Sequence, residues 1–248
     1  MHANPDIQVS PMLTARIAGA LWLIVIVASI ASVIGTQPLD WRADPAALTA
    51  SAVRAASTIR LGFAVRFFGK ICYLAVSVIL YELLKPVNRT MALFSAFCGV
   101  AGLLSGISSF NDFTALSLLE ESQRVAQPLA DRLHASAVTI IATHSLEPGR
   151  EDVFFGFQIG ALGFLIARSR YIPRAIGVVL LLGGAGFLIT SFTEFLSPTI
   201  GARLSPLVLP IVLLGEGALT IWLLVKGVNV DEWRTAVARS PQIDWAAR

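Results

Sequence analysis

Six apolar stretches separated by polar, arginine- and lysine-bearing segments set the pattern of this chain: Ile17–Ile34, Ile59–Leu84, Met91–Phe110, Val153–Ala167, Ala175–Phe195 and Leu207–Val225. About 20 apolar residues are what one α-helix needs to cross the hydrocarbon core of a bilayer. Runs this long do not alternate as barrel strands do, and an open sheet would leave backbone groups unpaired in lipid. The pattern predicts an all-α protein, a six-helix transmembrane bundle. Pro86 after the second run, Pro173 before the fifth and Pro198 after it mark helix ends. The fourth run is short and calls for an earlier start or a thinned bilayer.

Orientation follows from the short loops. Lys85–Arg89 and Arg168–Arg174 carry basic residues and no acidic ones, whereas Gly35–Thr58 and Asn111–Asp152 carry both. Basic loops face the cytoplasm, which puts both termini there. The domain plan is a disordered cytoplasmic N-terminus over 1–16, a membrane domain over 17–225 and a cytoplasmic tail over 226–248, in the inner or plasma membrane of the cell. Two outer segments have helical character. Asp44-Pro45 resembles an N-cap followed by a proline at the first helical position. Between Phe113 and Ile141 the apolar positions Leu116, Leu119, Leu129, Leu133, Ala137 and Ile140 recur every three to four residues, broken at Pro128, which predicts amphipathic outer helices.

Composition agrees. The 248 residues are 55% hydrophobic and 14% charged, against about 25% charged in a soluble domain. The net charge of +3 reflects basic residues at the ends of apolar runs, so no nucleic-acid partner is expected. Cys72 and Cys98 both lie inside apolar runs and behave as small hydrophobes, with no disulfide implied. The first run is longer than the apolar part of a signal peptide and reads as the first membrane helix.

The candidate chemistry starts at Glu216, midway along the last run and flanked by Gly215 and Gly217. A charge at mid-bilayer costs about 3 kcal/mol on insertion scales, so it should face the bundle interior, pair or be protonated. Interhelical glue and a ligand or proton site both remain open for it. Lys70 is the candidate partner, with Arg66 one turn away on the same face. If the second helix starts near Phe67 instead, Arg66 lies among headgroups and Lys70 snorkels. Gln158 completes this expected internal polar cluster. A second group, Asn111, Asp112, His134 and His144, gathers at the outer ends, with Glu147, Asp152, Thr193 and Glu194 nearby; simple solvation explains such residues as well.

Other chemistry is not visible. His134 and His144 lack the spacing of a helical metal pair, no histidine lies within a run to act as a base, and nucleotide-binding glycine patterns lack their strand-to-helix context. No metal, cofactor or catalytic set is expected. Gly102-x-x-x-Gly106 and Gly156-x-x-x-Gly160, followed by Gly163, form small faces for close helix contact, within the bundle or in self-association. Trp22 reads as core or lipid-facing filler, and Trp222 as an interface anchor.

Three segments carry a resemblance: FGFQIGALGFLIARSRYIPRAIGVVLLLGGAGFLITSF at 155–192, YELLKPVNRTMALFSA at 81–96 and EGALTIWLLVKGVN at 216–229. Together they resemble a bacterial membrane family catalogued as domain of unknown function 4386, over roughly residues 15 to 230. The resemblance implies a six-helix integral membrane protein and brings no agreed activity, ligand or catalytic set. Many relatives carry an acidic residue in the second helix, where this chain has Arg66 and Lys70. The leading expectation is a non-enzymatic protein of the lipid bilayer that binds or passes a small amphiphile or ion through the cluster of Glu216, Lys70, Arg66 and Gln158. The alternatives are a structural or partner-binding role and, third, an intramembrane enzyme.

Overall fold

The computed structural model describes residues 10–36, 54–105, 109–145 and 150–240. Among them are nine helices and no strand: α1 (Pro11–Thr36), α2 (Ala56–Leu84), α3 (Arg89–Ser105), α4 (Ser109–Ser122), α5 (Leu129–Ser145), α6 (Arg150–Ser169), α7 (Arg174–Leu196), α8 (Pro198–Val225) and α9 (Val230–Arg239). Helix boundaries follow local chemistry. Pro86 has no N–H to continue α2, and the chain turns there through Val87 N–H to Leu84 C=O at 3.0 Å. Asn88 Oδ1 then accepts the Met91 N–H at 2.9 Å, capping α3. Asn229 caps α9 in the same way, accepting from the N–H groups of Asp231 and Glu232.

Three boundaries differ from the sequence reading. The last long helix starts at Pro198 rather than near Leu207 and runs through Pro206 and Pro210. Each internal proline removes one ladder hydrogen bond, a loss that neighbouring helices can offset in a bundle. The third expected span divides: α3 ends at Ser105, and Phe110 belongs to α4. The tail carries a further helix, α9. The Asp44-Pro45 segment and Glu147 lie outside the described residues.

Six helices form a closed ring in the order α1, α2, α3, α6, α7, α8, with α8 returning to α1. The main core fills the end of this ring that carries the Lys85–Arg89 and Arg168–Arg174 loops. Trp22, Leu80, Leu83, Leu165, Leu219 and Leu223 are buried there together. At the opposite end α4 and α5 pair with each other, burying Leu116, Leu119 and Ala137 around Ile59 of α2, with Ile140 packed against them. Leu129, expected on the same apolar face, is instead exposed.

Four helices, over Pro11–Ser32, Ala56–Leu84, Arg174–Leu196 and Pro198–Val225, are long and apolar enough to cross a membrane, and two shorter apolar ones lie over Arg89–Ser105 and Val153–Ser169. Outward-facing Leu61, Val78, Phe97, Leu182, Leu214 and Ile221 are each at least 60% exposed. Contiguous apolar surface on this scale belongs in lipid rather than water. This is a membrane protein built as a helical bundle.

Candidate functional site

Glu216 lies on α8, on the same face as the buried Val212, Leu219 and Leu223. The Trp22 side chain of α1 lies within hydrogen-bonding reach of its carboxylate. The Tyr73 hydroxyl of α2 lies within electrostatic reach of the same carboxylate. That hydroxyl donates to Gln158 Oε1 on α6. Because α2 and α6 are not ring neighbours of α8, a Glu216 side chain that reaches Tyr73 must point into the ring.

Aromatic rings frame this chain of polar groups. Tyr73 sits 6.2 Å from Trp22 and 5.5 Å, edge to face, from Phe155. Gln158 is only 1% exposed. Its amide fits because α3 presents a glycine: a Cβ on Gly99 would lie 2.6 Å from Gln158 Nε2. Ser95 Oγ of α3 donates to the Gln158 carbonyl at 3.3 Å. Five of the six ring helices therefore contribute to one polar layer. Buried residues are dense on the side of the basic loops, and Trp22, Gln158 and Val212 mark the outer edge of that core.

The two cations of α2 sit one and two turns outward from Tyr73. Arg66 Nε donates to Ser32 Oγ of α1 at 2.6 Å, and Ser32 is itself buried. Lys70, half-buried, falls between them. Helix α2 starts at Ala56, well before Phe67, so Lys70 lies near its middle. The donor facing the Glu216 side chain is the Trp22 indole. Three ion pairs among the described residues, Arg60–Glu120, Lys85–Glu82 and Arg124–Glu121, lie away from this layer.

A family model described as a domain of unknown function (DUF4386) matches residues 17–227. The chain belongs to this family. An uncharacterized protein of Archaeoglobus fulgidus is 22% identical over 161 residues, covering 63% of this chain and 78% of its own length. No solved structure matches. The DUF4386 match thus spans the whole ring, from α1 to the end of α8.

Other sequence candidates take different places in this DUF4386 chain. Asn111 and Asp112 belong to the first turn of α4, and His144 to the end of α5; the side chains of all three lie outside what is described. His134 is half-buried on α5. Among the described residues no three of His, Cys, Asp and Glu come together. The glycine faces are occupied within the chain only in part. A Cβ on Gly102 would meet Phe155, and one on Gly156 would meet Leu188 and the Gly184 carbonyl, whereas one on Gly160 would meet nothing within 4 Å. The small-residue face expected to serve either bundle packing or self-association is thus covered by α7 at Gly156 and open at Gly160. Gly106 lies outside the described residues.

Sequence reasoning missed Trp22 and Tyr73 as members of the site. Trp22, read as core or lipid-facing filler, is in the core at 2% exposed, and its indole faces Glu216. Its N–H is the one polar handle on an otherwise apolar body, and such a group finds a partner when buried. A tryptophan a third of the way along its apolar run and an acid halfway along its own were the signal available.

Proposed function

We propose that this DUF4386 protein crosses the membrane six times, with both termini in the cytoplasm, and binds or passes a small amphiphile or ion through the polar layer inside its ring. The observation that carries this reading is the Glu216 carboxylate, pointed into the ring against the Trp22 indole and the Tyr73 phenol. A carboxylate has more acceptor sites than one indole N–H can fill, and the aromatic walls of Trp22, Tyr73 and Phe155 suit an organic cation or an amphiphile's apolar body. Gln158, Lys70 and Arg66 extend the polar lining.

The six-span count rests on adding α3 and α6 to the four long helices, because both are integral members of the ring. At about 1.5 Å per residue, the 20 residues of α6 match the hydrocarbon core. Basic loops at one end of the ring support the orientation.

The test is mass spectrometry of small molecules that copurify with the wild type, Glu216→Gln and Lys70→Met, joined to ion-flux measurements in proteoliposomes. The proposal expects at least one copurifying species or flux to be lost in Glu216→Gln. Unchanged copurification and flux in both variants, with folding intact, would leave a structural role for the layer. Additive effects of the two substitutions on stability would remove Lys70 from it.

A further inference from the structure

A second feature lies at the basic end of the ring, away from the polar layer. Between the α6–α7 turn and the end of α8 is an open recess of about 650 Å3, lined by Arg170, Tyr171, Pro173, Arg174, Trp222 and Lys226 among others. Three of these residues are cations, and no carboxylate is among the described lining residues. The recess also faces the start of α7. Pro173 occupies the N-cap position and supplies no side-chain hydrogen bond, so the positive end of a 23-residue helix is left without a side-chain cap.

Trp222 supplies an aromatic wall beside these cations. Arg170 holds φ at 61°, a left-handed conformation uncommon for a residue with a side chain. The α6–α7 turn that carries it also sets Arg174 at the head of α7. Two polar side chains of the lining are engaged elsewhere: the Tyr171 hydroxyl donates to the Leu83 carbonyl at 2.9 Å, and Asn229 Oδ1 caps α9. The charged side chains of the recess are all positive.

The walls decide what kind of anion fits. Exposed Val178 and Leu182 on α7, and Ile221 and Val225 on α8, continue from the recess onto the lipid-facing surface. An anion bearing long apolar chains could set its charge among the cations and lay its chains along these side chains.

We infer that this recess binds the phosphate group of an anionic phospholipid. The site is separate from the polar layer, and its fate does not depend on that of the proposed function. Guanidinium and ammonium groups supply charge-assisted hydrogen bonds to phosphate oxygens, and each basic residue near a membrane surface contributes about five-fold in affinity for an anionic lipid.

The experiment is thermal unfolding of the full chain, delipidated in neutral detergent, titrated separately with phosphatidylglycerol, phosphatidylcholine and inorganic phosphate. Phosphatidylglycerol is expected to raise the midpoint at concentrations where the other two do little. Arg174→Gln and Lys226→Gln should each shift that dependence to about five-fold higher lipid, while Arg203→Gln, exposed at the far end of α8, should leave it unchanged. An equal response to both lipids, or no change in either recess variant, overturns the proposal. Inorganic phosphate matching phosphatidylglycerol overturns the lipid assignment. Native mass spectrometry of the unaltered protein gives a reading that needs no variant. Preferential retention of phosphatidylglycerol supports the site, and equal loss of both lipids refutes it.

Discussion

The Trp22 indole faces Glu216 within hydrogen-bonding reach across the seam where α1 closes the ring against α8. Hydrogen bonds to a charged group contribute about 1.5–3 kcal/mol, and removing one partner of a buried pair exposes the full desolvation penalty of the other. Trp22→Phe keeps most of the ring bulk and removes the donor. Its unfolding midpoint in detergent is expected to fall by several degrees. Adding Glu216→Gln should restore part of the loss, because a neutral amide needs the donor less. Purely additive effects of the two substitutions would mean the pair is not coupled.

The next link in the layer is the Tyr73 hydroxyl on Gln158 Oε1. Tyr73→Phe preserves both aromatic contacts and strands an amide oxygen on a residue 1% exposed. The expected cost is about 1–3 kcal/mol. Gln158→Met should cost a comparable amount alone, and the double variant less than the two combined, since replacing both partners by apolar groups leaves nothing stranded. Denaturation of the four proteins, compared as a cycle, measures this directly.

Much of this architecture could be read from the sequence because lipid imposes a simple rule: each ring helix is an apolar run bounded by proline or basic residues. Glu216 stood out for the same reason, as a charge where charge is costly. Its partner did not, because pairing across the ring depends on which helices become neighbours. Charge complementarity drew attention to Lys70 and passed over an uncharged indole, Trp22, on the first helix. The start of α8 was missed because its apolar run begins only at Leu207, whereas the helix reaches back through Pro206 to Pro198. Helix α9 was missed although its signals, Asn229 as cap and Asp231 and Glu232 in the first turn, were present.

Close helix contact between α6 and α7 rests on glycine at particular positions. A Cβ on Gly163 would lie 2.6 Å from the Leu181 backbone nitrogen, and one on Gly177 would lie 2.5 Å from that of Ala167. These neighbours are backbone and cannot swing aside. Gly163→Ala or Gly177→Ala must push the two helices apart, with an expected loss of about 1–3 kcal/mol as for other overpacked sites. Gly217→Ala, with nothing within 4 Å of the new methyl, should be neutral or slightly stabilising through the better helix propensity of alanine. Thermal melts that rank Gly217→Ala with the other two would contradict the packing described.

Tyr171 provides a pH signature at the basic end of the ring, outside the spans. It is 2% exposed, and its hydroxyl donates to the Leu83 carbonyl, which also accepts from Trp233 Nε1 at 3.1 Å. Burial pushes the phenol's pKa above its ordinary value, near 10. The folded state thus keeps the proton longer than the unfolded one. The contribution to stability is complete below about pH 10, and above it the unfolded chain ionises first, so stability falls with rising pH until the folded phenol also ionises. Tyr171→Phe should lose about 1 kcal/mol at neutral pH, with the Trp233 bond still holding Leu83. It should also flatten the alkaline fall relative to the wild type. Unfolding midpoints of both proteins from pH 8 to 11 test this, and the difference between the curves isolates Tyr171 from other titrating groups. Parallel curves would show that its phenol is free to ionise in the folded protein.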